Sequence, residues 1–218
     1  INFEEIQEAT VAGLRAKQKA DKTRRILESA TTLFQQQGFE SARIEDIAEM
    51  AEVSVGTLYN YYQNKGEILV ATVAMEVTEV LQAGRAILAD PPLDVAVALR
   101  ALIEQYYDHS LIYLTKEMWR TAMAISIQQP DTPLSRRYTD LDRQLCQQVI
   151  DLVKALQARG MVHPAVDVKA IGEVIFSNLN MMFMEFCKEE EMSLDELKIR
   201  VAAQHAPIAT LISRVKAL

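Results

Sequence analysis

The chain has 218 residues, of which half are apolar and 24% are charged, a composition typical of a globular protein. Its seven glycines and six prolines are too few for a sheet protein with many tight turns, so the composition favours long helices. No apolar run reaches the roughly 18 residues that a membrane-spanning helix needs, and the sequence predicts no membrane contact.

The formal net charge of −7 argues at first against a protein that binds nucleic acid. The charge is unevenly distributed, however, because a basic cluster of six Lys and Arg residues lies between Arg15 and Arg25, with Asp21 as its only acid. A local basic segment on an acidic protein suits contact with phosphates. Taken alone, the cluster has a second interpretation as an ordinary solvated helix face.

The N-terminus and the cysteines predict a cytoplasmic protein. The first ten residues carry three glutamates and no apolar core, unlike a secretion signal, and because the chain starts at Ile1 we expect further residues before it. Cys146 and Cys187 lie far apart and form no disulfide framework; free buried thiols are the first interpretation and redox sensing is the second.

Three helices are predicted in the first third of the chain. Lys22–Gln37 has apolar residues at helical spacing and ends before Gly38, where a C-terminal glycine cap belongs. A second helix is predicted over Glu45–Ala51. A third is predicted over Val55–Tyr61, because Ser54 is a preferred helix-capping residue.

The rest of the chain predicts longer helices with short breaks that contain proline or glycine. The predicted helices are Glu67–Leu88, Pro92–Tyr113, Thr115–Gln128, Leu134–Arg159, Asp167–Lys188 and Ser193–Ala217. We expect Asp167 to cap the fifth of these, Ser193 with Glu196 to form a capping box, and Pro207 to kink the last. The fold class is all-α, with a domain boundary near Lys65–Val70.

The stretch from Gly38 to Leu69 predicts a helix-turn-helix. Two short helices are joined by a tight turn, and Leu58 and Tyr62 can anchor the second helix inward. The small and polar residues of this helix are then left facing outward; they are Val55, Gly56, Thr57, Tyr59, Asn60 and Tyr61. An outward-facing N-terminal half with a small Gly56 is what a major-groove recognition helix requires.

At these positions the chain resembles the DNA-binding domain of the tetracycline-repressor (TetR) family. The matching residues, over Lys22 to about Leu69, are Gly38-Phe39, Ile47-Ala48, Ala51-Glu52-Val53-Ser54, Gly56-Thr57-Leu58-Tyr59, Tyr62 and Lys65. The resemblance implies a homodimeric transcriptional repressor that binds a palindromic double-stranded DNA operator and is released by a small, largely apolar effector, with no cofactor. It also implies three parts: a basic helical extension over 1–20, the helix-turn-helix domain over 21–66 and a ligand-binding and dimerisation domain over 67–218.

The resemblance implies which residues contact DNA. The expected contacts are Arg43, Ser54, Val55, Gly56, Thr57, Tyr59, Asn60, Tyr61 and Lys65. For Tyr59 and Tyr61 a packing role is the alternative. Two positions depart from the family pattern: Glu52 replaces the usual turn glycine, which predicts strain or a helical conformation there. Arg43 replaces a hydroxyl residue, so it can grip a phosphate but cannot cap the helix.

Two apolar helices predict the dimer interface. Asp167–Lys188 is apolar on more than one face, which requires burial on more than one face. We expect one side to pack on its own domain and the other on a partner subunit, together with the last helix. The expected dimerisation residues are Ile171, Ile175, Leu179, Phe183, Ile208, Leu211, Ile212 and Val215.

Aromatic and methionine residues of the middle helices are candidates for an effector pocket, because such side chains form adaptable apolar sites. The candidates are Tyr106, Tyr107, His109, Tyr113, Trp119, Met123 and Met182. The alternative for each is an ordinary core position. No metal-ligand spacing joins the cysteines and histidines, so no metal is expected.

Two other classes of function compete with a regulator. The sequence has no phosphate-binding loop, dinucleotide fingerprint, nucleophile elbow or zinc-protease motif, and an enzyme would leave residues 38–69 unexplained. A helical scaffold has no need to present Thr57, Tyr59 and Asn60 outward beside Gly56. We therefore expect a DNA-binding regulator and not an enzyme.

Overall fold

The computed structural model describes residues 3–214, with side chains from residue 13 onward except that of residue 15. Within that range the chain forms nine helices and a single isolated bridge between Val162 and Ser213. The helices are α1 (Phe3–Gln37), α2 (Ile44–Met50), α3 (Val55–Tyr59), α4 (Lys65–Ala89), α5 (Val95–His109), α6 (Lys116–Gln128), α7 (Pro133–Ala158), α8 (Val168–Lys188) and α9 (Leu194–Ile212). The all-α prediction is confirmed.

The chain divides into two compact units, an N-terminal unit that ends at Thr72 and a C-terminal unit that begins at Val73. The division falls inside α4, so a continuous helix and no loop joins the two units. None of the helices in residues 3–214 combines the length and apolar character needed to cross a membrane.

The N-terminal unit is built around the apolar face of α1. Ile26 and Ala30 are fully buried, and Phe34 packs on Phe39 with ring centroids 5.1 Å apart. Gly38 ends the helix with a φ of 83°, the left-handed conformation that favours glycine. α1 begins at residue 3, so the helix predicted from Lys22 and the helical extension expected over 1–20 are one continuous helix: Ala, Gln, Glu and Lys, all good helix formers, dominate the preceding residues and no proline interrupts them.

Side-chain caps set the starts of the C-terminal helices. Asp94 accepts from the Val97 backbone N–H at 2.9 Å, so α5 begins three residues after Pro92, where we had predicted its start. Asp167 caps α8 as predicted. Ser193 caps α9 through the Glu196 N–H at 3.1 Å, but the Glu196 carboxylate bonds to Arg200, so the second half of the predicted capping box is not made.

The core of the C-terminal unit is centred on α7 and α8. Gly172 lets the two helices approach closely, because a Cβ at this position would lie 2.5 Å from the Ile150 side chain. Ile175 and Phe186 of α8 are fully buried against this core. Pro207 lies inside α9, which nevertheless continues to Ile212.

Candidate DNA interface and ligand cavity

The turn between α2 and α3 is tight and strained. Glu52 has a φ of 53°, the left-handed region that a residue with a Cβ seldom adopts, so the strain expected at this position is present. Backbone hydrogen bonds hold the turn: Glu52 N–H donates to Glu49 O at 3.0 Å and Val53 N–H donates to Ala48 O at 3.0 Å. The turn fixes the direction in which α3 leaves α2.

Ser54 starts α3 as its N-cap. Its Oγ accepts from the Thr57 backbone N–H at 3.0 Å and lies 2.8 Å from Thr57 Oγ1. The two hydroxyls therefore hold each other in place at the start of the helix. Each keeps further hydrogen-bonding capacity, because a hydroxyl can donate once and accept twice.

The outer face of α3 is free to meet another molecule. Leu58 is fully buried and anchors the helix, whereas Gly56 and Asn60 are exposed and Tyr59 is 48% exposed. Val55, Thr57 and Tyr61 are half-buried at the edges of this face. A Cβ at Gly56 would meet no atom within 4 Å, so nothing inside the N-terminal unit requires a glycine there.

Lys65 has an internal partner that its expected phosphate contact did not foresee. Its Nζ donates to Phe39 O at 2.9 Å and to Glu40 O at 2.8 Å, and it lies 4.9 Å from the centre of the Phe39 ring. Two of its three N–H donors are thereby used to hold the loop after α1. Lys65 is therefore a structural link in this structure, and its contact with a DNA phosphate stays a prediction.

Arg43 stands immediately before α2 and makes no capping hydrogen bond, as its side-chain chemistry predicts. Its guanidinium is 68% exposed and lies 3.4 Å from the Glu45 carboxylate. Of the basic cluster, Lys17, Lys19 and Lys22 are exposed on α1, and the side chain of Arg15 lies outside the described residues. Arg24 pairs with Glu28 at 3.0 Å and Arg25 with Glu52 at 3.3 Å, so the cluster is less positive than its count of lysines and arginines suggests.

The C-terminal unit contains a cavity between α4, α5, α6, α7 and α8, with about 600 Å³ of empty space that includes solvent at its opening. Aliphatic side chains and Ser110 and Asn180 form part of its wall. Six aromatic side chains also line it: Tyr106, Tyr107, Trp119, Tyr138, Phe176 and Phe183. Two carboxylic acids, Glu76 and Asp142, complete the wall.

Hydrogen bonds at their polar ends fix several of the aromatic side chains. Tyr107 Oη donates to Leu179 O at 2.8 Å, and Trp119 Nε1 donates to Ser110 O at 2.7 Å. Tyr106 Oη donates to Gln148 Oε1 at 2.7 Å. Phe183 stacks on Tyr107 at 6.0 Å and meets Trp119 edge-on at 5.1 Å. The polar groups of Tyr106, Tyr107 and Trp119 are therefore already paired, which holds these three side chains in place at the cavity wall.

Glu76 is the most deeply buried acid of the cavity, with a side chain that is 2% exposed. Its Oε1 lies 2.9 Å from His109 Nδ1, while its Oε2 is buried and has no hydrogen-bond partner among the described residues. His109 Nε2 lies 3.4 Å from Glu79, outside the cavity wall. Burial raises the pKa of Glu76 to about 7, although the hydrogen bond to His109 opposes this shift.

Asp142 enters the cavity from α7 and is half-buried. Burial raises the pKa of this carboxyl to about 6. No ion pair links it to a Lys, Arg or His among the described side chains. Glu76 on α4 and Asp142 on α7 thus both line the cavity, and neither forms an ion pair with a Lys or Arg among the described side chains.

The structure brings together only part of the predicted pocket. Tyr106, Tyr107 and Trp119 line the cavity, whereas His109 lies behind Glu76 and Tyr113 donates to Glu79 at 3.0 Å outside the lining. Met123 and Met182 do not line the cavity either, and their assignment is corrected. Met123 is buried on α6, and the Met182 sulfur accepts from Gln204 on α9.

The sequence did carry a signal for the two acids. Val73, Glu76, Val77 and Val80 follow helical spacing on α4, and Tyr138, Leu141, Asp142 and Leu145 repeat that spacing on α7. An acid inside an apolar stripe must be buried with the stripe. The prediction considered aromatic and methionine residues as pocket candidates and therefore left out both acids.

Half of the predicted dimerisation residues point into their own unit. Ile175, Leu179, Phe183 and Ile212 are all less than 9% exposed, so they are not available to a partner, and their assignment is corrected. Ile171 and Ile208 are half-buried, Leu211 is 82% exposed, and Val215 lies outside the described residues. Val174 and Met181, which the prediction omitted, are the exposed apolar residues of α8.

Neither cysteine has the surroundings of a reactive thiol. Cys187 is fully buried, and burial raises its pKa to about 12. Cys146 is half-buried with a pKa also raised by burial. Among the described residues no group of three or more His, Cys, Asp or Glu side chains is arranged to hold a metal ion.

Comparison with known proteins assigns the N-terminal unit. The family model for bacterial regulatory proteins of the tetR family matches residues 26–72. The transcriptional repressor KstR of Rhodococcus jostii is 34% identical over 65 residues, which are 30% of this chain and 31% of that protein. The chain therefore spans about a third of that relative's length in this match.

Solved structures extend the likeness to the whole fold. A transcriptional regulator from Saccharomonospora viridis in complex with choline has a TM-score of 0.67 at 20% identity, over 89% of this chain and 99% of that one. The repressor FadR of Thermus thermophilus in complex with lauroyl-CoA has a TM-score of 0.65 at 20% identity, over 90% and 98%. At these identities the likeness shows a shared fold.

Proposed function

Because the chain belongs to the TetR family of bacterial regulatory proteins, we propose that it is a homodimeric repressor that binds a palindromic operator and is released by a small molecule. The DNA-binding part of this proposal rests on the outer face of α3. It combines a buried anchor at Leu58 with an open Gly56 and exposed polar residues. A helix of this kind can enter the major groove with its backbone close to the base edges.

We assign base contacts to Val55, Gly56, Thr57 and Asn60, whose groups can hydrogen-bond to bases or touch a thymine methyl group. Tyr59 and Tyr61, with Arg43 at the start of α2, are the proposed phosphate ligands. Ser54 contributes by fixing the Thr57 hydroxyl. These contacts lie at or near the start of α2 and along α3, and a dimer would repeat them in the next half-site.

We propose that α8 and α9 supply the dimer face. Val174 and Met181 on α8 and Leu211 on α9 are large apolar side chains that the unit leaves exposed. Half-buried Ile171 and Ile208 extend the same helices. A C2 dimer through these two helices would bury this apolar surface and set two recognition helices about 34–36 Å apart.

We propose that the cavity of the C-terminal unit is the effector site. It is enclosed by five helices and is largely apolar, which suits a small organic molecule. Two proteins of the same fold were solved with choline and with lauroyl-CoA, and this supports a small-molecule effector without deciding its class. α4 contributes residues to the cavity and continues into the N-terminal unit, so it is the proposed route of coupling.

The experiment that tests DNA binding is selection from a randomised pool of duplex DNA by the purified full chain, with sequencing of the bound fraction. We expect enrichment of a palindrome whose half-sites are centred about 10 base pairs apart, or a multiple of that distance. The oligomeric state is measured on the same sample. Selection of no sequence at low salt by a folded dimer would contradict the proposal.

A further inference from the structure

The charge of the cavity limits what it can bind. Its wall contains two acids and no Lys, Arg or His among the described lining residues. An anionic ligand would bring a third acidic group between these walls, which supply no cation to receive it. Carboxylate and phosphate ligands are therefore disfavoured by Coulomb repulsion, which largely apolar walls screen less than bulk water does.

Glu76 offers a hydrogen-bonding position that the protein itself leaves unused. Its Oε1 is bound by His109, which also fixes the orientation of the carboxylate. Its Oε2 is buried and unpartnered among the described residues. A buried acceptor of this kind is costly unless something fills it, so it indicates a ligand that carries a donor or a positive charge.

The aromatic rings favour the same kind of ligand. The face of an aromatic ring is negative and attracts a cation, while the same ring packs well on hydrocarbon. Tyr107, Trp119 and Phe183 are held in fixed mutual orientation at the wall, and Tyr138 joins Asp142 on α7. A ligand with a positive head and an apolar body can use the acids and the rings together.

We propose, on the basis that the cavity is the effector site of the proposed function, that its effector is a lipophilic organic cation whose positive charge faces Glu76 and Asp142. The apolar remainder of the ligand packs on the aromatic wall. A quaternary ammonium group suits the site best, because it is attracted to acids and ring faces without needing hydrogen-bond acceptors. Glu76, through the Oε2 that His109 leaves free, and Asp142 then have one common partner.

The proposal predicts that cation binding strengthens as pH rises. Burial raises the pKa values of Glu76 and Asp142 to about 7 and about 6, and a cation favours their ionised forms. The other titratable groups facing them are Glu79, Tyr106, Tyr107, His109, Tyr138 and Cys146. Burial raises the pKa values of the three tyrosines and Cys146, which keeps them neutral over this range.

The test uses three probes of nearly equal shape and different charge: (3-hydroxyphenyl)trimethylammonium, its neutral isostere 3-tert-butylphenol, and the anion 3-tert-butylbenzoate. Calorimetric titration of the full chain at pH 7, where the phenol of the cationic probe stays largely protonated, measures each affinity. We expect the cation to bind at least about tenfold more tightly than the neutral isostere, and the anion to bind most weakly. The preference should shrink at pH 5.5.

Matched variants place the effect in the cavity. Glu76→Gln and Asp142→Asn should each lower the affinity of the cation about tenfold and change the affinity of 3-tert-butylphenol less than about twofold. Glu79→Gln removes a carboxylate that faces the same histidine from outside the cavity, and Asp140→Asn removes an exposed acid of α7. Asp140→Asn should leave the cation affinity unchanged, and Glu79→Gln, whose charge is the smallest contributor to the raised pKa of Glu76, should change it less than about twofold. The melting temperature of each variant checks its folding.

The outcomes separate this inference from the proposed function. Equal or tighter binding of the neutral or anionic probe, or loss of cation affinity in the controls alone, would overturn the cation assignment. If such a probe also released operator DNA, the effector site would stand with another class of ligand. Tight cation binding that left operator affinity unchanged would support the ligand class and contradict the proposed function.

Discussion

The two units of this protein expose their candidate functional groups in opposite ways. The N-terminal unit buries the apolar side chain of Leu58 and presents polar groups and Gly56 on the surface of α3. The C-terminal unit places Glu76 inside, where one carboxylate oxygen has no partner in the described part of the chain. In each unit the candidate site contains a residue that is less favourable for stability than another residue type would be at the same position.

The two sites differ in the kind of residue that lowers stability. On α3 it is Gly56, which lacks a side chain although the surface has room for one. At the cavity it is a charge in a place that stability would give to an apolar or neutral group. Substitutions that restore the more stable choice should therefore raise stability and reduce binding, and the opposite pattern would break the comparison.

The largest effect is expected for Gly56→Ala. The methyl group has space within the unit and adds helix propensity, so the unit should become more stable by about 0.5–1 kcal/mol. On DNA the same methyl group stands at the proposed closest approach, and operator affinity should fall about 10- to 100-fold. Affinity is measured by fluorescence anisotropy on the selected operator. Gly13→Ala, at another open helical glycine, is the matched control; an equal loss there would contradict the role of Gly56.

Glu76→Gln should make the ligand-free protein more stable at high pH. The folded pKa of about 7 exceeds the ordinary value of 4.5, so wild-type stability should fall as pH rises from about 4.5 to 7 and then level off. Glutamine keeps a hydrogen bond available to His109 and cannot ionise, so at pH 8 it should gain about 2 kcal/mol. Urea denaturation between pH 5 and 8 measures the pH dependence of wild-type stability and the gain of the variant, each to within about 0.5 kcal/mol.

Glu79→Gln is the control for that series, since it alters the other carboxylate near His109 at a position that is 43% exposed. Its stability should nearly follow the wild-type pH dependence, because burial, and not the charge of Glu79, is the main cause of the raised pKa of Glu76. A pH profile that Glu76→Gln leaves unchanged would show that this carboxyl does not carry the buried charge.

Lys65→Met should lower the stability of the N-terminal unit by about 1–2 kcal/mol, because it leaves the Phe39 and Glu40 carbonyls without their charged donor. Hydrogen exchange of the helix amides in residues 26–58 measures the unit separately. Lys22→Met, at an exposed lysine of α1, is the control. Equal exchange in the two variants would return Lys65 to its predicted role as a phosphate ligand alone.

Glu52→Gly is expected to have the smallest effect, a gain of about 0.5–1 kcal/mol in the N-terminal unit. Glycine relieves the left-handed strain at φ 53°, while the extra freedom of the unfolded chain and the loss of the exposed Arg25 pair offset part of this gain. The same exchange measurement detects it. A loss of stability would mean that the Glu52 side chain contributes more than the strain costs.

The turn and the third helix of the N-terminal unit were predictable because they depend on neighbouring residues. Ser54 caps α3, Leu58 is its anchor and Gly38 ends α1, and each follows from local chemistry. The structural role of Lys65 could not be predicted, for a tertiary reason. Its partners Phe39 and Glu40 lie about 25 residues earlier, and no pattern in the sequence joins them.

The C-terminal unit was harder to predict because α8 is apolar on more than one face. Both Ile175 and Val174 suit burial, and only the packing of α7 and α5 decides that Ile175 faces inward and Val174 outward. The cavity had the same difficulty, since its wall combines residues from Val73 to Phe183. Helical spacing could have singled out the acids, but not the void between them.

The most direct test of the account joins the two units in one measurement. Calorimetry determines the affinity of (3-hydroxyphenyl)trimethylammonium for the full chain, first for the chain alone and then for the chain saturated with the selected operator. Since coupling is reciprocal, we predict that operator weakens the ligand at least about fivefold, by the same factor by which the ligand weakens operator binding. Equal ligand affinity with and without operator would contradict the coupling on which the proposed repressor depends.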